Sequence, residues 1–120
     1  MSTEILDHWK VVTECDQLDT EFTNCGSQLV VLYFGQPNCI GCEQIRGLMI
    51  SLPAKYPKVK FLQIPSNSPV KRDHYCCNDM MVFPATRFYK NWKYPDQRDH
   101  LQIAIGACGS VIEDLIKQYQ

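Results

Sequence analysis

The chain has 120 residues, of which 45% are hydrophobic and 11% aromatic, a size and make-up expected of a single domain over residues 1–120 with an ordinary packed core. Its 12 basic and 13 acidic residues leave a net charge of −1 with no long block of either sign, which excludes the electrostatic footprint of a nucleic-acid partner or an anionic membrane. No apolar run approaches the roughly 20 residues of a spanning helix. Met1 to Val12 lacks the basic-then-apolar pattern of a secretory signal, so a cytoplasmic protein is expected.

Trp9-Lys10-Val11-Val12 predicts a short first strand. Cys15, Leu18, Phe22 and Cys25 then recur at helical spacing, and Gly26 follows as a left-handed stop. Leu29 to Phe34 is a continuous apolar run rich in β-formers, as in a strand buried on both faces, and Gln36-Pro37-Asn38 breaks it. A second helix is predicted from about Cys39 to Leu52, with Pro53 bending or ending it.

Val59 to Ile64 is the next strand. Ser68-Pro69, a capping hydroxyl before a first-turn proline, starts a short helix to about Asn78. Thr86 to Lys90 forms a strand entered through Val82-Phe83-Pro84-Ala85. Asn91 to His100 is a polar loop, and Leu101, Ile103 and Ile105 alternate as the last strand. Ser110 and Glu113 predict a capping box for a final helix whose apolar face is Ile112, Leu115, Ile116 and Tyr119. The order βαβαβαββα predicts an α/β fold, a sheet with helices on both faces.

Cys39-Ile40-Gly41-Cys42 falls where a buried strand turns into a helix. Unpaired N–H groups and the dipole at a helix start stabilise a thiolate on the first cysteine, and two intervening residues bring the second sulfur within reach. Cys39 is then the candidate nucleophile and Cys42 the candidate resolving thiol. Zinc knuckles use the same spacing. Zinc needs about four ligands, for which Cys76, Cys77 and His74 are the other candidates.

These landmarks resemble the thioredoxin family over nearly the whole chain. The strand ending in Phe34 lies five residues before the dithiol, Lys55-Tyr56-Pro57 precedes the strand Phe61-Leu62-Gln63-Ile64, and Phe83-Pro84-Ala85-Thr86 is similar to the family's cis-proline loop. Gly106-Ala107 is similar to the family's glycine beyond the last strand. The resemblance implies a thioredoxin fold with a central mixed sheet of about five strands and about four helices. It implies a thiol-disulfide oxidoreductase acting on protein disulfides, with Asn38, Ile40, Gly41, Phe83, Pro84 and Gly106 lining the substrate groove. No bound cofactor or metal is required, and electrons come from a flavin-dependent thioredoxin-reductase-type donor or from glutathione.

The chain also differs from the family pattern. Asn38 stands where a tryptophan is usual, Ile40-Gly41 replaces Gly-Pro, Glu43 replaces a basic residue, and Tyr33 occupies the place of a buried acid. Glu43 opposes a nearby thiolate by like charge. These differences motivate an alternative function, a protein-binding module of the same fold with weak or absent catalysis. Of the seven cysteines, Cys15 and Cys25 are expected in the core, one of Cys76 and Cys77 faces inward, and Cys108 is a candidate accessory thiol. His8, His74 and His100 are expected at the surface.

Overall fold

The computed structural model describes residues 5–74, 77, 82–90 and 102–120. They form β1 (Lys10–Val11), α1 (Cys15–Thr23), β2 (Val30–Phe34), α2 (Ile40–Lys55), β3 (Lys60–Ile64), α3 (Pro69–Asp73), β4 (Ala85–Tyr89), β5 (Gln102–Ile105) and α4 (Gly109–Tyr119), the expected order. The sheet runs β1-β3-β2-β4-β5. β3 is parallel to both β1 and β2, while β4 is antiparallel to β2 and β5.

β2 is buried at every position because it has a neighbour on each edge and a core on each face. Val31 and Tyr33 join Ile45 and Met49 of α2 and Ile112 and Ile116 of α4 on one side. Val30, Leu32 and Phe34 join Leu18 and Phe22 of α1 and Val70 of α3 on the other. Alternation of side chains along a strand produces this division.

α2 continues past Pro53 to Lys55 instead of ending there. A proline in a helix removes the N–H that would bond the carbonyl four residues earlier. Here that carbonyl belongs to Met49, and the Trp9 indole Nε1–H donates to it at 2.7 Å. The orphaned acceptor is thereby satisfied from outside the helix. Trp9 is itself held in place by Gln63, a buried amide on β3. Gln63 Nε2 donates to the carbonyls of Leu6 and Trp9 at 2.8 and 2.9 Å, and its Oε1 accepts from the Leu6 N–H at 2.7 Å.

Other boundaries also differ from expectation. α1 ends at Thr23 with Asn24 as its C-cap, and Gly26, at φ 57°, serves the following turn. α3 starts as expected, with Ser68 Oγ accepting from the Lys71 N–H and Pro69 in the first turn, but the chain turns extended at His74. In β5 the buried residue is Ala104, whereas Ile105 is 54% exposed, because this is an edge strand. α4 has Cys108 as N-cap with no side-chain capping bond. Glu113 instead accepts from Tyr56 Oη at 2.6 Å and pairs with Lys55, tying α4 to the end of α2. Trp92, Tyr94, His100 and Leu101 lie outside the described residues, as does the chain expected to carry α3 on to Asn78, apart from Cys77.

Removing the indole donor should expose the cost of Pro53. Trp9→Phe is expected to lose about 1–3 kcal/mol of stability in urea unfolding. Adding Pro53→Ala should recover part of that loss, since alanine restores the backbone donor to Met49. Equal losses with and without Pro53→Ala would refute the pairing.

Glu21 of α1 accepts from Lys10 at 2.5 Å and Lys60 at 2.8 Å. Burial pushes its carboxyl up, but the two lysine hydrogen bonds outweigh burial and hold it below the ordinary value of 4.5. A carboxylate depressed in the folded state stabilises fully above its unfolded value and loses that contribution as pH falls through its folded one. Unfolding midpoints should therefore decline on acidification below about pH 4.5, and Glu21→Gln should flatten that decline.

Candidate functional site

The dithiol stands at the C-terminal end of β2. After Phe34 the chain passes through buried Gly35 and exposed Gln36, Pro37 and Asn38. Asn38 takes φ 56°, a left-handed conformation that asparagine tolerates better than most side chains. Cys39 follows in extended geometry as the N-cap of α2. Its sulfur does the work usually done by a serine or aspartate oxygen, accepting from the Cys42 N–H at 3.1 Å. The Cys39 carbonyl accepts the Glu43 N–H at 3.1 Å, the first turn of the helix.

Cys39 and Cys42 are joined as a disulfide with a Cα–Cα distance of 5.2 Å. Both are nearly buried, at 9% and 8% exposure, while Ile40 between them is 79% exposed. When the pair is reduced, a thiolate on Cys39 faces the positive end of a 16-residue helix.

Two other loops meet this turn. A Cβ on Gly41 would stand 3.0 Å from Pro84 Cδ and 3.7 Å from Ala107 Cβ, so the dithiol turn, the Pro84 loop and the loop after β5 are in close approach. The Phe83–Pro84 peptide bond is cis. The Gly106 N–H donates to the Pro84 carbonyl at 2.8 Å, with Gly106 at φ 88°.

The structure thus brings Ile40, Gly41, Pro84 and Gly106 to the dithiol, with Asn38 on its exposed approach. The Phe83 ring goes elsewhere. It packs against the cluster on the α1 and α3 side, with Lys71 Nζ 6.0 Å from its centroid. Alternation along the last strand concealed one feature, the exposure of Ile105 immediately before Gly106.

The remaining described thiols have other environments. Burial pushes the Cys15 thiol above its ordinary value of 9.0, reinforced by Asp73 and Asp19. Cys25 is buried and donates to the Phe22 carbonyl at 3.0 Å, and Cys77 is buried beside Val70. Cys108 is half-buried and donates to the Ile105 and Gly106 carbonyls at 3.4 and 3.5 Å. Cys76 lies outside the described residues. His74, expected at the surface, is buried, with Nε2 2.7 Å from Asp19 Oδ1 of α1. That pairing joins residues distant in sequence, which helical and strand periodicities do not register.

Among the described residues, no group of three or more His, Cys, Asp or Glu is arranged to hold a metal ion, and no helix is long and apolar enough to cross a membrane. A cavity of about 510 Å³ lined by Cys25, Gln28, Lys58 and Lys90 lies at the opposite end of β2 from the dithiol.

A mixed sheet in this order, flanked by helices and carrying a Cys-x-x-Cys pair at a helix start beside a cis-proline loop, is a thioredoxin fold. No protein-family model matches the chain. A thioredoxin of Ophiophagus hannah is 29% identical over 110 residues, covering 92% of this chain and 97% of that protein. The chloroplastic thioredoxin-like 1-3 of Arabidopsis thaliana is 32% identical over 87 residues, which span 72% of this chain but only 31% of that longer protein.

Among solved structures, thioredoxin NaTrxh of Nicotiana alata superposes with a TM-score of 0.77 at 16% identity, covering 100% of this chain and 99% of its own. Thioredoxin f2, crystallised in complex with ferredoxin:thioredoxin reductase, superposes with a TM-score of 0.73 at 18% identity, covering 91% of this chain and 92% of the other. The chain belongs to the thioredoxin family as a distant homologue.

Gly106 is the site residue whose backbone most restricts substitution. A β-carbon in its left-handed conformation is expected to cost about 1–2 kcal/mol. Gly106→Ala should lower the urea midpoint with an unchanged m-value.

Proposed function

We infer that the chain is a single-domain thiol-disulfide oxidoreductase acting on protein disulfides through Cys39 and Cys42. The observation that carries this reading is the placement of Cys39 as the N-cap of α2, its sulfur accepting the Cys42 N–H and its partner sulfur already within bonding reach. A sulfur that accepts from an N–H at a helix start is favoured as thiolate, the form that attacks.

The chemistry proceeds in two exchanges. The Cys39 thiolate attacks one sulfur of a client disulfide, forming a mixed disulfide and releasing the other client sulfur as a thiolate that takes up a proton. The Cys42 thiol loses its proton and attacks the Cys39 sulfur, releasing the second client thiol and leaving the Cys39–Cys42 disulfide. Two electrons and two protons from an external donor regenerate the dithiol. A flavin-dependent reductase of the thioredoxin-reductase type, or glutathione, fits that role. The complex of thioredoxin f2 with its reductase supports the first of these. Cys15, Cys25 and Cys108, held as thiols beside one disulfide, suit a reducing, cytoplasmic setting.

A second reading, a binding module with little catalysis, draws on the exposed apolar side chains of Ile40, Val82 and Ile105 near the Pro84 loop. The two readings separate by mutation. Cys39→Ser should abolish reduction of a protein disulfide such as insulin's, and Cys42→Ser should accumulate mixed disulfides with clients. Undiminished turnover in Cys39→Ser would sink the enzyme reading. Client binding unaffected by Cys39→Ser/Cys42→Ser, without turnover in the unmodified protein, would establish the binding module.

A further inference from the structure

Tyr33 is the last residue of β2 to face the α2 side, within the core it shares with Ile45 and Met49. A Cβ on Gly35 would stand 2.8 Å from Tyr33 Cε2, 3.0 Å from its Oη and 3.2 Å from its Cζ. One edge of the ring therefore covers Gly35, the first residue of the turn leading to Cys39. Gly35 has no left-handed backbone, so what its missing side chain provides is space and not conformational freedom.

The ring cannot easily give way. Tyr33 is 2% exposed, its centroid is 5.9 Å from that of Trp9, and it shares a cluster with Ile45 and Met49 of the dithiol helix. Close-packed interiors transmit such displacements instead of absorbing them. The turn is thus constrained at both ends, by the tyrosine over Gly35 and by the left-handed Asn38 just before Cys39.

We propose that Tyr33 is a positioning residue for the dithiol: its ring edge, seated on Gly35, fixes the turn that presents Cys39 and so sets the balance between the disulfide and dithiol forms. The proposal deepens the oxidoreductase reading and rests on it. The two forms of the pair need slightly different sulfur positions, and a rigid turn favours one over the other. A merely structural tyrosine would affect stability alone.

The test compares the unmodified protein, Gly35→Ala, Tyr33→Leu and the double variant Tyr33→Leu/Gly35→Ala. The equilibrium constant of the Cys39–Cys42 pair against glutathione is read by alkylation and mass spectrometry. Gly35→Ala, which drives the turn and the ring edge apart, should shift that constant by about tenfold. In the Tyr33→Leu background the same change should shift it by less than about twofold, because the atoms it strikes are gone.

A Gly35→Ala constant within about twofold of the unmodified protein, or an equal shift in both backgrounds, overturns the proposal. If Gly35→Ala does not fold, Tyr33→Leu alone decides, since loosening the turn must move the constant and an unchanged value overturns the proposal. Failure of the unmodified protein to form the disulfide in any glutathione buffer is a separate result. It removes the oxidoreductase reading, and the proposal falls with it.

Discussion

The indole of Trp9 ties together parts of the chain that lie 40 residues apart, and the dithiol helix depends on that tie. Pro53 leaves the Met49 carbonyl without its helical donor, in a core where an unsatisfied acceptor is costly. The indole N–H supplies the bond, and the same ring packs edge-on against Phe61 of β3 at 4.9 Å. One side chain therefore repairs α2 and fixes it to the sheet. Gln63 completes the arrangement by engaging the backbone of Leu6 and Trp9 with both ends of its amide. A buried polar group with its partners in place adds specificity without leaving an orphan.

From Trp9 the packing runs on to the site. Its ring contacts Tyr33, Tyr33 covers Gly35, and Gly35 opens the turn that ends in Cys39. The N-terminal segment, far from the chemistry in sequence, thereby bears on the dithiol through close contacts. Placing the cysteines at the end of a strand buried on both faces gives their turn a rigid base, which a surface loop would lack.

Much of this was legible in the sequence because it depends on local pattern. The apolar run before Gln36-Pro37-Asn38 marks β2, and Ser68-Pro69 marks the start of α3 through bonds between near neighbours. The failures share a cause in contacts between distant residues. Pro53 reads as a helix end unless the indole donor from Trp9 is known. Ser110 and Glu113 read as a capping box until Glu113 is drawn to Tyr56 and Lys55 of α2. Ile105 reads as core by alternation, but alternation says which side a residue faces and not whether anything covers that side at an edge strand. His74 reads as surface because Asp19, its partner, is on another helix. At the site, the Cys39–Cys42 pair was legible from its place between strand and helix, whereas the groove positions expected of Phe83, Pro84 and Gly106 came from the family resemblance, and the Phe83 ring packs away from the dithiol.

Seven cysteines in one chain pose the question of which are poised for exchange, and hydrogen-bond direction sets Cys39 apart from Cys25 and Cys108. Cys25 and Cys108 act as donors, their S–H groups directed at backbone carbonyls. Burial and the acids around α1 and α3 push the Cys15 thiol above its ordinary value. Cys39 is oriented the opposite way, its sulfur accepting an N–H at the start of a helix. A donor environment of that kind favours negative charge on sulfur, and the aligned peptide dipoles of α2 add to it. Glu43, one residue beyond Cys42, works against this, but it is exposed, where solvent weakens its effect. The backbone N–H groups are fixed and close, so the helix start is the stronger influence on the Cys39 sulfur.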